Sequence, residues 1–299
     1  MEGRTICRLL IVLFCALSIT FFVLYRKEYK NTNYLSDEFV VDAVENLSSS
    51  GVEIDPAVID RKIPEKDIYS VEFTSVDAYQ DKVVRTLVEK IYENKVTTLD
   101  FDMPDGVSVG IYDSSVTDRE LGRIVMNDND LFFRFSKTGI NIDSSVSPNF
   151  NEQTDGISDG NRKMIKTLIT GLSDSADFSY RICGSSYSDE YVFVSVIQVI
   201  DGYDIPDVFL NFAFYEGEVV DISGSWITGK IKPKYHNKLM NGVNVLYKLN
   251  LEKISKINEE RHVYFLRKSE DGRFFVVPGW EITYTDKNGA VKKEYFEAL

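Results

Sequence analysis

Residues able to do chemistry are sparse in this chain. It has two histidines, His236 and His262, and three cysteines, Cys7, Cys15 and Cys183. No HExxH pair and no Cys/His cluster occurs, so no dedicated zinc site is expected. Cys183 with His262 is a conceivable thiol–imidazole pair. Cys183 lies in the strand-like "DFSYRICG", where nothing local favours a thiolate, and reads as a half-buried strand cysteine. Asp100, Asp102 and Asp105-Gly106 imitate the start of a calcium loop but miss its spacing and its closing glutamate. Asn127 to Asp130 lacks both the glycine and the glutamate. Both stretches read as turns. A carboxylate pair for glycoside hydrolysis is a spatial arrangement, and chance pairs are expected among 47 acidic residues. The sequence therefore nominates no catalytic, cofactor-binding or metal-binding residue, no cofactor and no enzymatic activity.

The clearest signal is a location. Leu9–Tyr25, "LLIVLFCALSITFFVLY", contains no charge and is close to the roughly 20 residues needed to cross a bilayer as a helix. It ends in Phe-Phe-Val-Leu-Tyr-Arg-Lys rather than in small residues, which favours an uncleaved anchor over a signal peptide. Phe14 before Cys15, in mid-span, excludes a lipoprotein site. Arg4 and Arg8 flank one side and Arg26, Lys27 and Lys30 the other, nearly balancing the positive-inside count. The expected topology is a cytoplasmic tail over residues 1–8, an anchor over 9–25 and an extracellular domain, because long segments translocate largely regardless of charge. Within the span Ala16 and Thr20 are four residues apart, with Ser18 near them. Small-xxx-small spacing lets helix backbones approach closely in lipid, so Ala16, Ser18 and Thr20 are the candidate partner-binding residues.

The rest of the chain is acidic. The formal net charge is −13, with 34 Lys and Arg against 47 Asp and Glu. That balance argues against nucleic acid and against lying flat on an anionic leaflet. Cys183 is alone after the span, so no disulfide forms within the outer part. An outer domain without one points to a bacterial surface.

Patterning gives an α+β fold: an N-terminal transmembrane helix, then helices packed on antiparallel sheet. Ser36 is placed to cap a helix whose apolar face is Phe39, Val40, Ala43, Val44 and Leu47, with Gly51 as its stop. A second helix is predicted from Val76 to Asn94, a third over "NRKMIKTLITGL" capped by Asn161, and a fourth over "NGVNVLYKLNLEKI". Strands are expected at "TTLDFDM", "GVSVGIY", "DLFFRFS" and "GINIDS", and again in "DFSYRICG", "EYVFVSVIQVI", "VFLNFAFYEGEVVDISG" and "SWITGK". "KINEERHVYFLRK", "GRFFVVPGW", "EITYTDK" and "KKEYFEA" complete an antiparallel run. The polar stretch 143–160 reads as a link between a first α+β unit, 34–142, and a second, 161–299. Helix followed by meander is expected at 76–142 and again at 241–299.

Two stretches carry a family resemblance. One is "YLSDEFVVDAVENLSSSGVEIDPAVIDRKIP" (Tyr34 to Pro64). The other is the ending "RFFVVPGWEITYTDKNGAVKKEYFEAL", with Pro278, Trp280, Tyr295, Phe296 and Ala298 in the family's positions. Together with the anchor these resemble the YycI family and its relative YycH, membrane-anchored accessory regulators of the WalK sensor histidine kinase in Gram-positive bacteria. The span lacks the opening tryptophan and the Leu-Asn pair of typical members. The resemblance implies two PepSY-like units of helix on antiparallel sheet and no enzymatic activity. It implies association through the span with a sensor histidine kinase and with a paralogous membrane regulator. Two other classes are open on the sequence: a PepSY-like inhibitor or chaperone of an extracytoplasmic protease, and a cell-wall enzyme with an unrecognised carboxylate site.

Overall fold

A computed structural model describes residues 14–15, 17–28, 33–72, 76–93, 95–103, 106–127, 131–140, 156–173, 178–188 and 191–298. The expected tail 1–8, the first part of the span, Ala16 and most of the expected link 143–160 lie outside the described residues.

The protein is mixed α+β, with two sheets and few helices. It divides into two compact units, and neither is one continuous stretch. The first comprises Met1–Lys66, Asn237–His262 and Gly279–Leu299; the second comprises Asp67–His236 and Val263–Pro278. This differs from the sequential division at 143–160. Local patterns reveal elements, but which strands pair is decided by contacts far apart in sequence.

In the first unit, helix α1 (Asp37–Ser49) begins where Ser36 Oγ accepts the Phe39 N–H at 3.2 Å. It ends at Gly51, whose φ of 81° only glycine adopts without strain. Val40, Ala43 and Leu47 face inward. The short strand β1 (Glu53–Ile54) pairs in parallel with the start of β12 (Ile254–Lys268). The helix expected at 241–254 is much shorter: α4 spans Gly242–Leu246, followed by a 3₁₀ turn at Leu251–Lys253. Val243, Val245, Leu246 and Leu249 are buried, so the core is filled by a turn rather than by one helical stripe. "GRFFVVPGW" and "EITYTDK", expected as separate strands, form one strand, β13 (Phe274–Asp286), which runs through Pro278. Before the proline, β13 pairs with β2 (Glu65–Glu72) at Val276↔Tyr69; after it, β13 pairs with β14 (Val291–Glu297) from Gly279↔Glu297. Proline has no N–H to give a ladder, so it suits the position where partners change. Trp280 is fully buried in one cluster with Ile282, Leu47 and Ala298.

The second unit holds an eight-stranded antiparallel sheet. Helix α2 (Val76–Ile91) precedes β3 (Val96–Met103), β4 (Gly106–Asp113), β5 (Val116–Asn127) and β6 (Phe132–Lys137). Helix α3 (Asp159–Leu172) precedes β7 (Phe178–Ser188), β8 (Tyr191–Ile200), β9 (Tyr203–Tyr215) and β10 (Glu218–Ser225). The strand order is β3-β4-β5-β6-β10-β9-β8-β7. A helix followed by a four-stranded meander therefore occurs twice, and the two meanders join through β6 and β10. The echo expected at 76–142 and 241–299 is found instead at 76–137 and 159–225. Two strands lie outside the pattern: β5, where charged residues are mixed with apolar ones without regular alternation, and β11 (Lys230–Lys238), almost wholly exposed and containing Pro233. Most of "GINIDS", residues 141–144, lies outside the described residues, and in "SWITGK" residues 226–229 form no strand. The cap of α3 is Ser158 rather than Asn161, its Oγ accepting the Asn161 N–H at 3.1 Å.

Strand alternation gives this sheet two unlike faces. One register row reads Val109, Ile124, Phe135, Ile222, Phe212 and Val194, all buried in one core with Leu87, Ile165 and Leu168 of the two helices. The neighbouring row, on the other face, reads Phe101, Ser108, Val125, Arg134, Ser223, Asn211, Ser195 and Gly184.

Candidate functional site

Ser18 and Thr20 lie on a helical stretch, residues 17–28, and both are exposed. They are two residues apart, so they do not share a helix face. Ala16, which would share a face with Thr20, lies outside the described residues. The same stretch exposes Leu17, Ile19, Phe21, Phe22, Val23 and Leu24, and ends in Arg26, whose guanidinium lies 5.4 Å from the Phe22 ring centre. No helix among the described residues is long and apolar enough to cross a membrane.

The residues weighed for chemistry are dispersed. Cys183 is buried with Ile197 and Val199, and its Sγ donates to the Ser195 carbonyl at 3.3 Å. Cys183 belongs to the second unit and His262 to the first. Asp100 and Asp102 lie on the edge strand β3, over the stretch "TTLDFDM" that the pattern gives as a strand, and not in a calcium loop. Among the described residues no three His, Cys, Asp or Glu side chains are grouped to hold a metal ion.

One polar cluster escaped the sequence reading. Glu260 and His262 are two apart on β12 and point the same way; Asp60, from the segment after a 3₁₀ turn, lies between them. The Asp60 N–H donates to Glu260 Oε2 at 3.3 Å, and His262 Nε2 is 3.2 Å from Asp60 Oδ2. Asp60 Oδ1 accepts the Lys62 N–H at 2.9 Å. The His262 ring lies 3.8 Å from the Trp280 ring centre, and Trp280 Nε1 donates to the Met240 carbonyl at 2.9 Å. Gly242 packs directly on the carboxyl: a Cβ there would fall 1.6 Å from Glu260 Oε1. That oxygen is buried and has no hydrogen-bond partner among the described residues. Burial pushes the Glu260 carboxyl up to about 8; the Asp60 N–H opposes this and the Asp60 charge adds to it. The hydrogen bond to His262 holds Asp60 below the ordinary carboxylate range, against its own burial. Glu260 therefore carries a proton at neutral pH. No signal in sequence could have joined residues 60, 242 and 260.

This cluster could move a proton. The first unit has a cleft of about 810 Å³ lined by Tyr34, Leu35, Ser36, Asp37, Phe39, Arg61 and Asn241, with Arg61 paired to Asp37. Neither Asp60, Glu260 nor His262 lines it. On the other face of β12, Arg261 grips the buried Glu281 through two bonds of 2.6 and 2.9 Å, and Lys293 adds a third at 3.0 Å. Burial raises the Glu281 carboxyl, but the two cations outweigh it and hold the group below the usual range.

No family model matches the chain, and no curated protein does. Among solved structures, an uncharacterized protein from Eubacterium rectale is similar with a TM-score of 0.49 at 10% identity, over 83% of this chain and 88% of that one. The C-terminal domain of Bacillus megaterium YpeB is similar with a TM-score of 0.40 at 15% identity, over 73% of this chain and 92% of that one. None of these comparisons brings the chain to the YycI and YycH family.

Proposed function

We propose that this protein is a non-enzymatic, single-pass accessory protein of the cell membrane, with its N-terminus cytoplasmic and its folded units outside. It associates with a sensor histidine kinase, and with a paralogous membrane regulator, through its N-terminal helix. The observation that carries the reading is the exposed apolar surface of residues 17–28, from Leu17 to Leu24, ending in Arg26 and Lys27. So many adjacent apolar side chains facing outward suit lipid or a partner helix, not water. The kinase enters through the resemblance of Tyr34–Pro64 and of the ending to the YycI and YycH family. The two helix-plus-meander repeats support PepSY-like modules. The accessory protein must bind one kinase state better than the other, since only differential affinity shifts a population. No cofactor or nucleic acid takes part.

Replacing residues 9–25 with an unrelated apolar span tests this directly. Kinase co-purification and the response to the accessory protein should both be lost while membrane association persists. Survival of both after the swap removes the helix-docking reading. Release of the unaltered protein from membranes by alkaline carbonate removes the anchor itself.

A further inference from the structure

Among the described residues, strand β3 is an edge of the eight-stranded sheet and pairs only with β4. Every residue from Thr97 to Met103 is exposed. Leu99, Phe101 and Met103 are 54, 44 and 46% exposed. Long apolar edges are what soluble proteins avoid, because an edge offers unpaired N–H and C=O groups to any extended chain. The other edge strand, β7, has no comparable apolar row: its Cys183 is buried and Arg181 is paired with Asp204.

The side chains of β3 alternate in chemistry as well as direction. Leu99, Phe101 and Met103 point to the face away from the helices. There β4 presents only the small residues Gly110, Ser108 and Gly106 opposite them. Val125 of β5, 38% exposed, is the next in the Phe101 row, beyond Ser108. The apolar row thus continues onto the sheet instead of stopping at its rim. Asp100 and Asp102 point to the other face, and neither makes an ion pair with a described residue.

We infer that β3 is a docking edge for an extended polypeptide segment in which apolar and basic residues alternate. Such a segment adds a ninth strand through backbone hydrogen bonds. Its apolar side chains extend the Leu99–Phe101–Met103 row, and its Lys or Arg side chains meet Asp100 and Asp102 across the same pair of strands. A second copy of this chain fits badly. Antiparallel pairing centred on Phe101 would set Asp100 of one copy against Asp102 of the other, and like charges directly opposite destabilise a sheet. The inference is independent of the helix-docking reading, since it uses a different surface.

The test uses the full-length protein in zwitterionic detergent and a fluorescent ten-residue peptide of alternating Lys and Val. Anisotropy should show binding at least tenfold tighter than for the Glu–Val counterpart at low salt. Asp100→Asn with Asp102→Asn should erase most of that preference. N-methylation of alternate peptide nitrogens, in either register, should abolish binding in one register only, because only one side of the added strand faces β3. Phe101→Lys should weaken binding at least tenfold with an unchanged melting temperature; if it unfolds the protein, the double Asn variant still decides. Equal binding of the Glu–Val peptide, indifference to both N-methylated peptides, or no binding overturns the proposal. So does a dimer in sedimentation that Phe101→Lys dissociates, because the edge is then occupied by a second copy.

Discussion

Thr86 and Gly171 bring helices α2 and α3 into direct contact. Thr86 Oγ1 donates to the Gly171 carbonyl at 3.1 Å, and a Cβ on Gly171 would sit 2.6 Å from the Thr86 methyl. Thr86 is itself buried. Alanine at 171 gains about 1 kcal/mol of helix propensity but must push the helices apart. Gly171→Ala is expected to destabilise by about 1–2 kcal/mol in urea denaturation. In a Thr86→Ser background, where the methyl is gone, the same change should be neutral or stabilising. A double-mutant cycle that shows simple additivity contradicts this account.

Gln198 replaces a missing strand. It is fully buried on β8, donates through Nε2 to the Ile227 carbonyl at 3.0 Å and accepts the Ile227 N–H at 3.0 Å. Both backbone groups of Ile227 depend on it. Gln198→Leu leaves a buried donor and a buried acceptor unmade, at about 1–3 kcal/mol each in the limit where no water enters. The expected loss is about 2–4 kcal/mol, read as a lower urea midpoint with an unchanged slope.

Glu260 should make stability depend on pH. Its carboxyl titrates near 8 in the folded protein, above its value in an unfolded chain. Between those two values the folded state holds a proton that the unfolded state has released. Stability therefore falls as pH rises, by at most about 1.4 kcal/mol per pH unit from this group, and levels off above pH 8. The lowered Asp60 carboxyl works in the opposite direction, and only in the acid range. Glu260→Gln should flatten the pH 5–8 part of the curve. If thermal melts of the variant and the parent run parallel over that range, the proton is not on Glu260.

Arg261 and Glu281 form a buried ion pair supported by Lys293. Removing Arg261 leaves a carboxylate that is 1% exposed with a single cation beside it. Arg261→Ala is expected to cost about 3 kcal/mol, and Lys293→Ala less, because that amine is partly exposed. Replacing Glu281 together with Arg261 by apolar residues should recover much of the loss. Guanidinium-free denaturation at low and high salt checks it: screening should change these values little.

Local elements were legible where a local cause exists. Ser36 caps α1 through its own hydroxyl, Gly51 stops it, and the apolar faces of α1 and α2 follow the 3.6 period. The turn before β14 has an equally local cause. Gly289 has φ 84°, and Asp286 Oδ1 accepts the N–H groups of Asn288 and Ala290 at 2.8 and 3.0 Å. The failures have a common origin. Strand β5 mixes Arg119, Glu120 and Arg123 with Leu121, Ile124 and Met126, so its average polarity hides a strand with one buried face. The segment after Asn241 has helical spacing over too short a distance to sustain a helix, and burial of Val245 and Leu249 settles it as a turn.

The sequence by itself determined the apolar run near the N-terminus, the acidic balance, the α+β class and most helix and strand positions. Each of these depends on residues a few positions apart. Only the tertiary structure decided that residues 1–66 share a unit with 237–262 and 279–299, and that the repeat lies at 76–137 and 159–225. It alone brought Asp60, Gly242, Glu260 and His262 together, and left β3 with one neighbour instead of two among the described residues. Those outcomes depend on which strands pair, and pairing is chosen by the summed burial of whole faces rather than by any local motif.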